Sequence, residues 1–192
     1  VKRLLPVFRR AAAVIAERHP EAAFVFPTVS YLEDFLTARV ADWPGRAIVV
    51  PDIARKFDAM AACDVALAAS GTVSLELAMA RVPHVIAYRL NPATVAVIKM
   101  LHGVKQQFAN LVNILLDREA VPELLQDKCT GPRVAEEVLR LLDDDTARAT
   151  QAAAAEEALA LLRPAGGSPS GTAADVVLSY IRNGNREGDD RE

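Results

Sequence analysis

Cysteine is nearly absent: Cys63 and Cys129 are the two in 192 residues, far apart and outside any CxxC pair. Neither a disulfide framework nor a thiolate zinc site is expected, and a reducing, cytosolic compartment fits. Excess charge of one sign is also missing. Twenty-two Lys and Arg face 25 Asp and Glu, a net charge of −3 with neutral histidines. Without a basic surplus nothing is available to neutralise a nucleic-acid backbone, so no nucleic-acid partner is expected. The one basic cluster, Lys2, Arg3, Arg9 and Arg10, reads as the solvated face of a first helix. No apolar run approaches the ~20 residues that span a bilayer, and the opening residues carry no signal-peptide pattern. His19, His84 and His102 are scattered without ligand spacing, so no metal is expected. Neither GxGxxG nor GxxxxGK[ST] occurs, which removes the dinucleotide fingerprint and the Walker loop. Chain order offers no Ser/His/Asp grouping. Asp143-Asp144-Asp145 follows a helical run rather than a strand, and reads as a solvated helix end.

What is present is apolar: 52% of the residues are hydrophobic, enough to bury a sizeable core in one domain. Leu4, Leu5, Phe8, Ala11, Ala12 and Ile15 recur at helical spacing and predict a helix over 1–18, ended by Pro20. Because "VKRLLPVFRRAAAVIAERH" already reads as mid-helix and begins with Val1, the chain is expected to be a piece of a longer product. Strand-type runs follow at 22–28, 47–50, 64–69 and 83–89. Helices are predicted between them at 30–40, 53–63 and 72–80, with Ser30 and Glu33 as a capping box. The strands lack polar alternation, as strands buried on both sides do. Repeated alternation of this kind predicts an α/β fold: a Rossmann-like parallel sheet with helices on both faces, since parallel neighbours need crossover connections.

Beyond Arg89 the pattern changes. A helix is predicted over 91–102, with a surface-binding alternative in which Lys99 and Lys105 meet lipid headgroups. Residues 106–132 mix a loop, an apolar run and a short helix from about Val121. Two Ala- and Glu-rich helices follow, then "PAGGSPSG" as a linker, a last helix over 172–183, and a frayed tail. The expected division is therefore a domain over 1–163, a linker and helix over 164–183, and a flexible tail over 184–192.

The stretch most open to chemistry is "CDVALAASGTVSLELAMARVPHVIAYR" (63–89). Sheets of this type bind ligands beyond the carboxyl ends of their strands. Ser70-Gly71-Thr72 falls at such an end, where a helix begins and its first N–H groups and dipole suit an anion. Gly71 permits close backbone approach, and Ser70 or Thr72 can donate a hydroxyl. The plainer alternative is that Ser70 or Thr72 is only an N-cap. Glu76, one turn on, can accept from paired hydroxyls such as those of a ribose, or merely complement the helix dipole. Asn113 is a polar residue inside "LVNILL", so its amide must be bonded to something, backbone or ligand. Arg89, just past a buried strand, is a natural counter-charge for a diphosphate, or else a salt-bridge partner of Asp117 or Glu119.

"DVALAASGTVSLELAMARVPHVIAYRLNP", followed by "NLVNILLDREAVPELLQ", resembles the C-terminal half of the lipid-A-disaccharide synthase family, over residues 1 to about 145. Members have the GT-B glycosyltransferase fold, so the resemblance implies the C-terminal domain of such an enzyme, incomplete at its start. It implies that Ser70, Gly71 and Thr72 face the UDP diphosphate and that Glu76 lies near the nucleoside. Tyr88 and Arg89 occupy the YR positions near the cleft, and Arg118 and Glu119 the RE pair. Asn113 falls on the asparagine of the family's LPN run, and Asn113 and Arg89 are the residues with implied catalytic roles. The sequence departs there: "LVN" replaces "LPN", and Leu116-Asp117 replaces Ala-Gly.

The implied reaction of the complete enzyme moves 2,3-diacylglucosamine from UDP-2,3-diacylglucosamine to 2,3-diacylglucosamine 1-phosphate (lipid X) and releases UDP, with no cofactor and no metal. Implied partners are that donor, that acceptor, the N-terminal half of the same enzyme and a membrane surface. A Gly-Ser-Arg loop and the general-base carboxylate belong to the missing part, so the chain alone is expected to be inactive. Two alternatives stay open: an isomerase like UDP-N-acetylglucosamine 2-epimerase, and a non-catalytic nucleotide-binding module.

Overall fold

The computed structural model describes residues 2–91, 108–163, 166 and 168–184. The helix expected over 91–102 and the tail beyond 184 lie outside the described residues. In chain order the elements are α1 (Leu5–Arg18), β1 (Ala23–Pro27), a 3-10 turn (Ser30–Leu32), α2 (Glu33–Val40), β2 (Arg46–Val50), a turn (Ile53–Arg55) and α3 (Lys56–Ala61). Then come β3 (Ala66–Ala68), α4 (Val73–Met79), β4 (His84–Tyr88), α5 (Leu111–Leu116), β5 (Glu123–Leu125), a turn (Gln126–Lys128), α6 (Gly131–Asp143), α7 (Asp145–Leu161) and α8 (Pro169–Gly184).

Every strand pairing among the described residues is parallel. The strands form two ladders, β1-β2 and β3-β4-β5. In the second, Ala66 lies opposite His84, and Ile86 opposite Glu123. The four strands read from the sequence are present, shorter by a residue or more at most ends. β5 is a correction: the short helix expected from about Val121 is instead a strand. Three residues carry too little periodicity to separate the two, and pairing with β4 decides it. The capping box at Ser30 is a second correction. Ser30 opens a 3-10 turn, α2 starts at Glu33, and neither element has a side-chain cap.

β4 explains the missing polar alternation. Val85, Ile86 and Ala87 are completely buried, so both faces of the strand are covered. Val85 and Ala87 point into the main core with Val7, Ala11 and Ile15 of α1 and Val134, Ala135, Val138 and Leu141 of α6. Burying side chains of this size contributes roughly 1.5–3 kcal/mol each. The two helices touch at Gly131, where an added Cβ would lie 2.5 Å from the Cβ of Arg10 and 3.3 Å from the Ala11 nitrogen. On the β1-β2 side, Trp43 takes edge-on contacts from Phe24 and Phe26, at 6.4 and 5.0 Å between ring centres.

The three aspartates after α6 divide their work. Asp143 pairs with Arg18 at 2.9 Å and with His19 at 3.1 Å, closing α1 onto the end of α6. Asp144 accepts from the Thr146 and Ala147 nitrogens at the start of α7. Further along α7, the Gln151 side chain accepts from the buried His84 nitrogen at 2.5 Å and donates to the His84 carbonyl at 3.1 Å.

The chain divides into two compact units, Val1–Ala158 and Leu159–Glu192. In the second, α8 carries Val176, Val177, Leu178, Tyr180 and Ile181 exposed. No described helix is long and apolar enough to cross a membrane.

Candidate functional site

The carboxyl ends of β3, β4 and β5 share one edge, because the three strands are parallel neighbours. After β3 the chain turns through Ser70-Gly71-Thr72 into α4. Gly71 has φ +148°, a conformation that side-chain-bearing residues rarely adopt, and a Cβ there would meet no described residue within 4 Å. None of the described residues covers the backbone there. The first α4 amides that find an acceptor are those of Ser74 and Leu75, bonded to the Gly71 and Thr72 carbonyls. Among the described residues, the N–H groups of Gly71, Thr72 and Val73 have no protein acceptor.

Capping by Ser70 or Thr72 does not explain this turn. Thr72 occupies the N-cap position without a side-chain bond to the helix, and is exposed. The Ser70 hydroxyl turns away and donates to the Ala109 carbonyl at 2.7 Å. Ser74 closes the turn instead, donating to the Gly71 carbonyl at 2.9 Å. Among the described residues, donors at the helix mouth thus remain without a partner.

Glu76, one turn up α4, pairs with Lys56 of α3 at 2.5 Å, both side chains about a quarter exposed. Nothing in the sequence singled out Lys56, since 20 positions separate the two and only the fold joins them. Tyr88 is half-buried and packs on the main core. Arg89 is exposed. Among the described residues it forms no ion pair, so the bridge to Asp117 or Glu119 weighed from sequence is absent. Its guanidinium instead lies beside the buried Cys129 thiol. Burial pushes that thiol above its ordinary range, and Arg89 pulls part of the way back.

Asn113 is completely buried and fully engaged. Its Nδ2 donates to the Val121 carbonyl at 2.7 Å and to Glu123 Oε1 at 2.8 Å. Its Oδ1 accepts from the Ala120 and Val121 nitrogens at 2.9 and 2.8 Å. Two donors and two acceptors are the full capacity of an amide side chain. Asn113 thus pins the 119–121 turn to α5, which is the backbone alternative weighed from sequence. Asp117 closes that helix at φ +49°, the left-handed geometry a glycine adopts most readily, and its N–H and that of Arg118 return to the Ile114 and Asn113 carbonyls. The Arg118 side chain pairs with Glu157.

Glu123 was not singled out from the sequence either. Its Oε2 accepts from the Ala109 nitrogen at 2.8 Å, and its Oε1 from the Asn110 nitrogen at 2.9 Å as well as from Asn113. With Phe108, Glu119, Leu125, Gln126, Asp127 and Lys128 it lines an open groove of about 380 Å³. Among the described residues no three His, Cys, Asp or Glu side chains gather as a metal site.

A family model described as Lipid-A-disaccharide synthetase matches residues 1–177. The chain belongs to the lipid-A-disaccharide synthetase family. The match reaches beyond position 145, where the legible resemblance stops. The chain is 45% identical over 185 residues to the lipid-A-disaccharide synthase of Paramagnetospirillum magneticum, covering 96% of this chain and 47% of that protein. Identity to the enzyme of that name from Rhodospirillum centenum is 44% over 181 residues, with coverages of 94% and 45%. For Gluconobacter oxydans it is 37% over 179 residues, with coverages of 93% and 43%. The chain spans about half the length of the curated relatives it matches. Its parallel ladders flanked by helices fit a GT-B glycosyltransferase domain of the lipid-A-disaccharide synthetase family.

Proposed function

We propose that this chain is the donor-gripping half of a lipid-A-disaccharide synthase, a hexosyltransferase of lipid A biosynthesis. The complete enzyme moves 2,3-diacylglucosamine from UDP-2,3-diacylglucosamine to 2,3-diacylglucosamine 1-phosphate and releases UDP. Residues 1–163 form the UDP-sugar domain, followed by a linker and helix over 164–183 and a tail over 184–192. The enzyme works in the cytoplasm, at the inner face of the inner membrane.

The observation that carries this reading is the mouth of α4: N–H groups at Gly71, Thr72 and Val73 that no described residue pairs with or covers, at the end of a parallel strand. Such amides suit the diphosphate of a nucleotide sugar. They grow more favourable as the sugar departs and charge collects on the leaving diphosphate, so they assist the transition state more than the ground state. Ser70 fixes the turn, Thr72 adds a free hydroxyl, and Arg89 supplies a cation unpaired with any described carboxylate. Glu76 keeps one oxygen on Lys56 and offers the other to the ribose hydroxyls. Tyr88 walls the cleft. Asn113 shapes the turn that carries Arg118 and Glu119 toward the sugar. The acceptor and the general base belong to the other half of the enzyme, so the 192-residue chain alone forms no disaccharide.

Calorimetric titration of the chain with UDP, UDP-2,3-diacylglucosamine and UDP-N-acetylglucosamine tests this. Preference for the acylated donor, weakened by Thr72→Ala and Arg89→Ala, is expected. Preference for the unacylated sugar, with C2 inversion on incubation, would move the chain to the epimerases. Equal affinity for an adenine nucleotide would make it a general nucleotide-binding module.

A further inference from the structure

We infer that Glu123 is a positioning residue for the anion seat at the mouth of α4, acting through the Ala109–Asn110 peptide; this rests on the function proposed above. The connection is short. Glu123 Oε2 holds the Ala109 N–H at 2.8 Å, and the Ser70 hydroxyl holds the Ala109 carbonyl at 2.7 Å. The Ala109–Asn110 peptide, its carbonyl held by Ser70 and its N–H by Glu123 Oε1, therefore ties the end of β5 to the residue preceding Gly71. Glu123 Oε1 secures the adjoining Asn110 N–H and the Asn113 amide at 2.9 and 2.8 Å, so the loop entering α5 cannot swing about Ala109 alone.

All three groups on Glu123 are donors, and ionised carboxylate is the one side-chain group of this reach that is acceptor-only at both oxygens. A glutamine of the same shape would place an NH2 against an N–H and break at least one arm. Glu123 sits on β5, whose register against β4 is fixed from Ile86–Glu123 to Tyr88–Leu125. The carboxylate is thus referenced to a rigid strand, while the seat it steadies lies in a turn. Ser70 needs this help because Gly71 gives its own turn little stiffness.

The variants are Glu123→Gln, Glu123→Asp and Ser70→Ala in the 192-residue chain, with two readouts. Hydrogen exchange at the first bonded amides of α4, Ser74 to Glu76, reports the seat without any ligand. Glu123→Gln is expected to speed it about tenfold, the equivalent of one lost charged hydrogen bond, while exchange within α6 stays as in the parent. Calorimetry with UDP reports function. Glu123→Gln and Ser70→Ala should each weaken binding about tenfold, the double variant no more than the worse single one, because both act through one peptide. Glu123→Asp, which keeps the charge, should recover part of the loss. Unchanged exchange at Ser74–Glu76, or losses that add, would overturn the inference. So would exchange that rises equally in α6, the mark of general loosening. If the parent binds no UDP while Glu123→Gln still speeds exchange at α4 alone, Glu123 positions the turn and the assignment of UDP to that turn falls. Should Glu123→Gln fail to fold, Glu123→Asp and Ser70→Ala decide by the same two readouts.

Discussion

Where α1 meets α6, Gly131 leaves no room for a methyl group; at the end of β3, no described residue crowds Gly71. The first glycine serves a dry contact between two helices whose faces are Val, Ala, Ile and Leu. The second serves an open turn whose neighbours are held by hydroxyl, amide and carboxylate groups. One region is stabilised by area removed from water, which tolerates small shifts so long as volume is conserved. The other depends on individual hydrogen bonds, each with a fixed partner and a penalty when left unmade. A site needs the second kind of order, because donors must point at a place rather than merely be near it.

The contrast is broken most severely at Asn113. Asn113→Ala strands the Ala120 and Val121 nitrogens, the Val121 carbonyl and one arm of Glu123, and is expected to cost about 3–5 kcal/mol in urea denaturation. Next come the two glycines, compared directly. Gly131→Ala should cost about 1–3 kcal/mol through overpacking against Arg10, with UDP affinity unchanged. Gly71→Ala should cost about 1–3 kcal/mol through backbone strain and should weaken UDP binding as well. If both variants, or neither, lose affinity in calorimetry, the division between dry contact and open seat is wrong.

One pH effect belongs to the apolar region. Burial holds the pKa of His84 below its ordinary value of about 6.5, which favours the neutral ring in the folded state. The unfolded chain then binds the proton first. Stability contributed by the neutral ring is present above about pH 6.5 and is lost as pH falls below it, by at most ~1.4 kcal/mol per pH unit. Denaturation midpoints at pH 7.5, 6.5 and 5.5 should show that slope, and His84→Leu should flatten it. The smallest change sharpens the polar region. Asp117→Gly relieves a left-handed φ and should stabilise by about 0.5–1 kcal/mol, read as a rise in Tm.

The alternation of apolar runs made the α/β class legible, because strands buried on both sides leave no polar residues between Val82 and Tyr88 except His84. β5 was not legible: "ELL" is too short to show a period, and only β4 makes it a strand. At the site, the turn at Gly71 and the buried amide of Asn113 announced themselves, each being a residue out of place for its surroundings. Lys56 and Glu123 did not. Charged residues on a short helix and after a proline look like any solvated pair, and their partners sit 20 positions away in one case and up to 14 in the other. Sequence shows what a residue costs where it stands; it does not show who answers it across the fold.

The amide of Gln151 completes β4 from outside the sheet, serving both the N–H and the carbonyl of His84 as a neighbouring strand would. That bond pair sets a minimum length for any working version of this domain. A chain cut before residue 151 would keep every strand and every candidate ligand contact. It would nonetheless leave the N–H and the carbonyl of one buried residue, in two successive peptide groups, without their partner, at about 1–3 kcal/mol for each group.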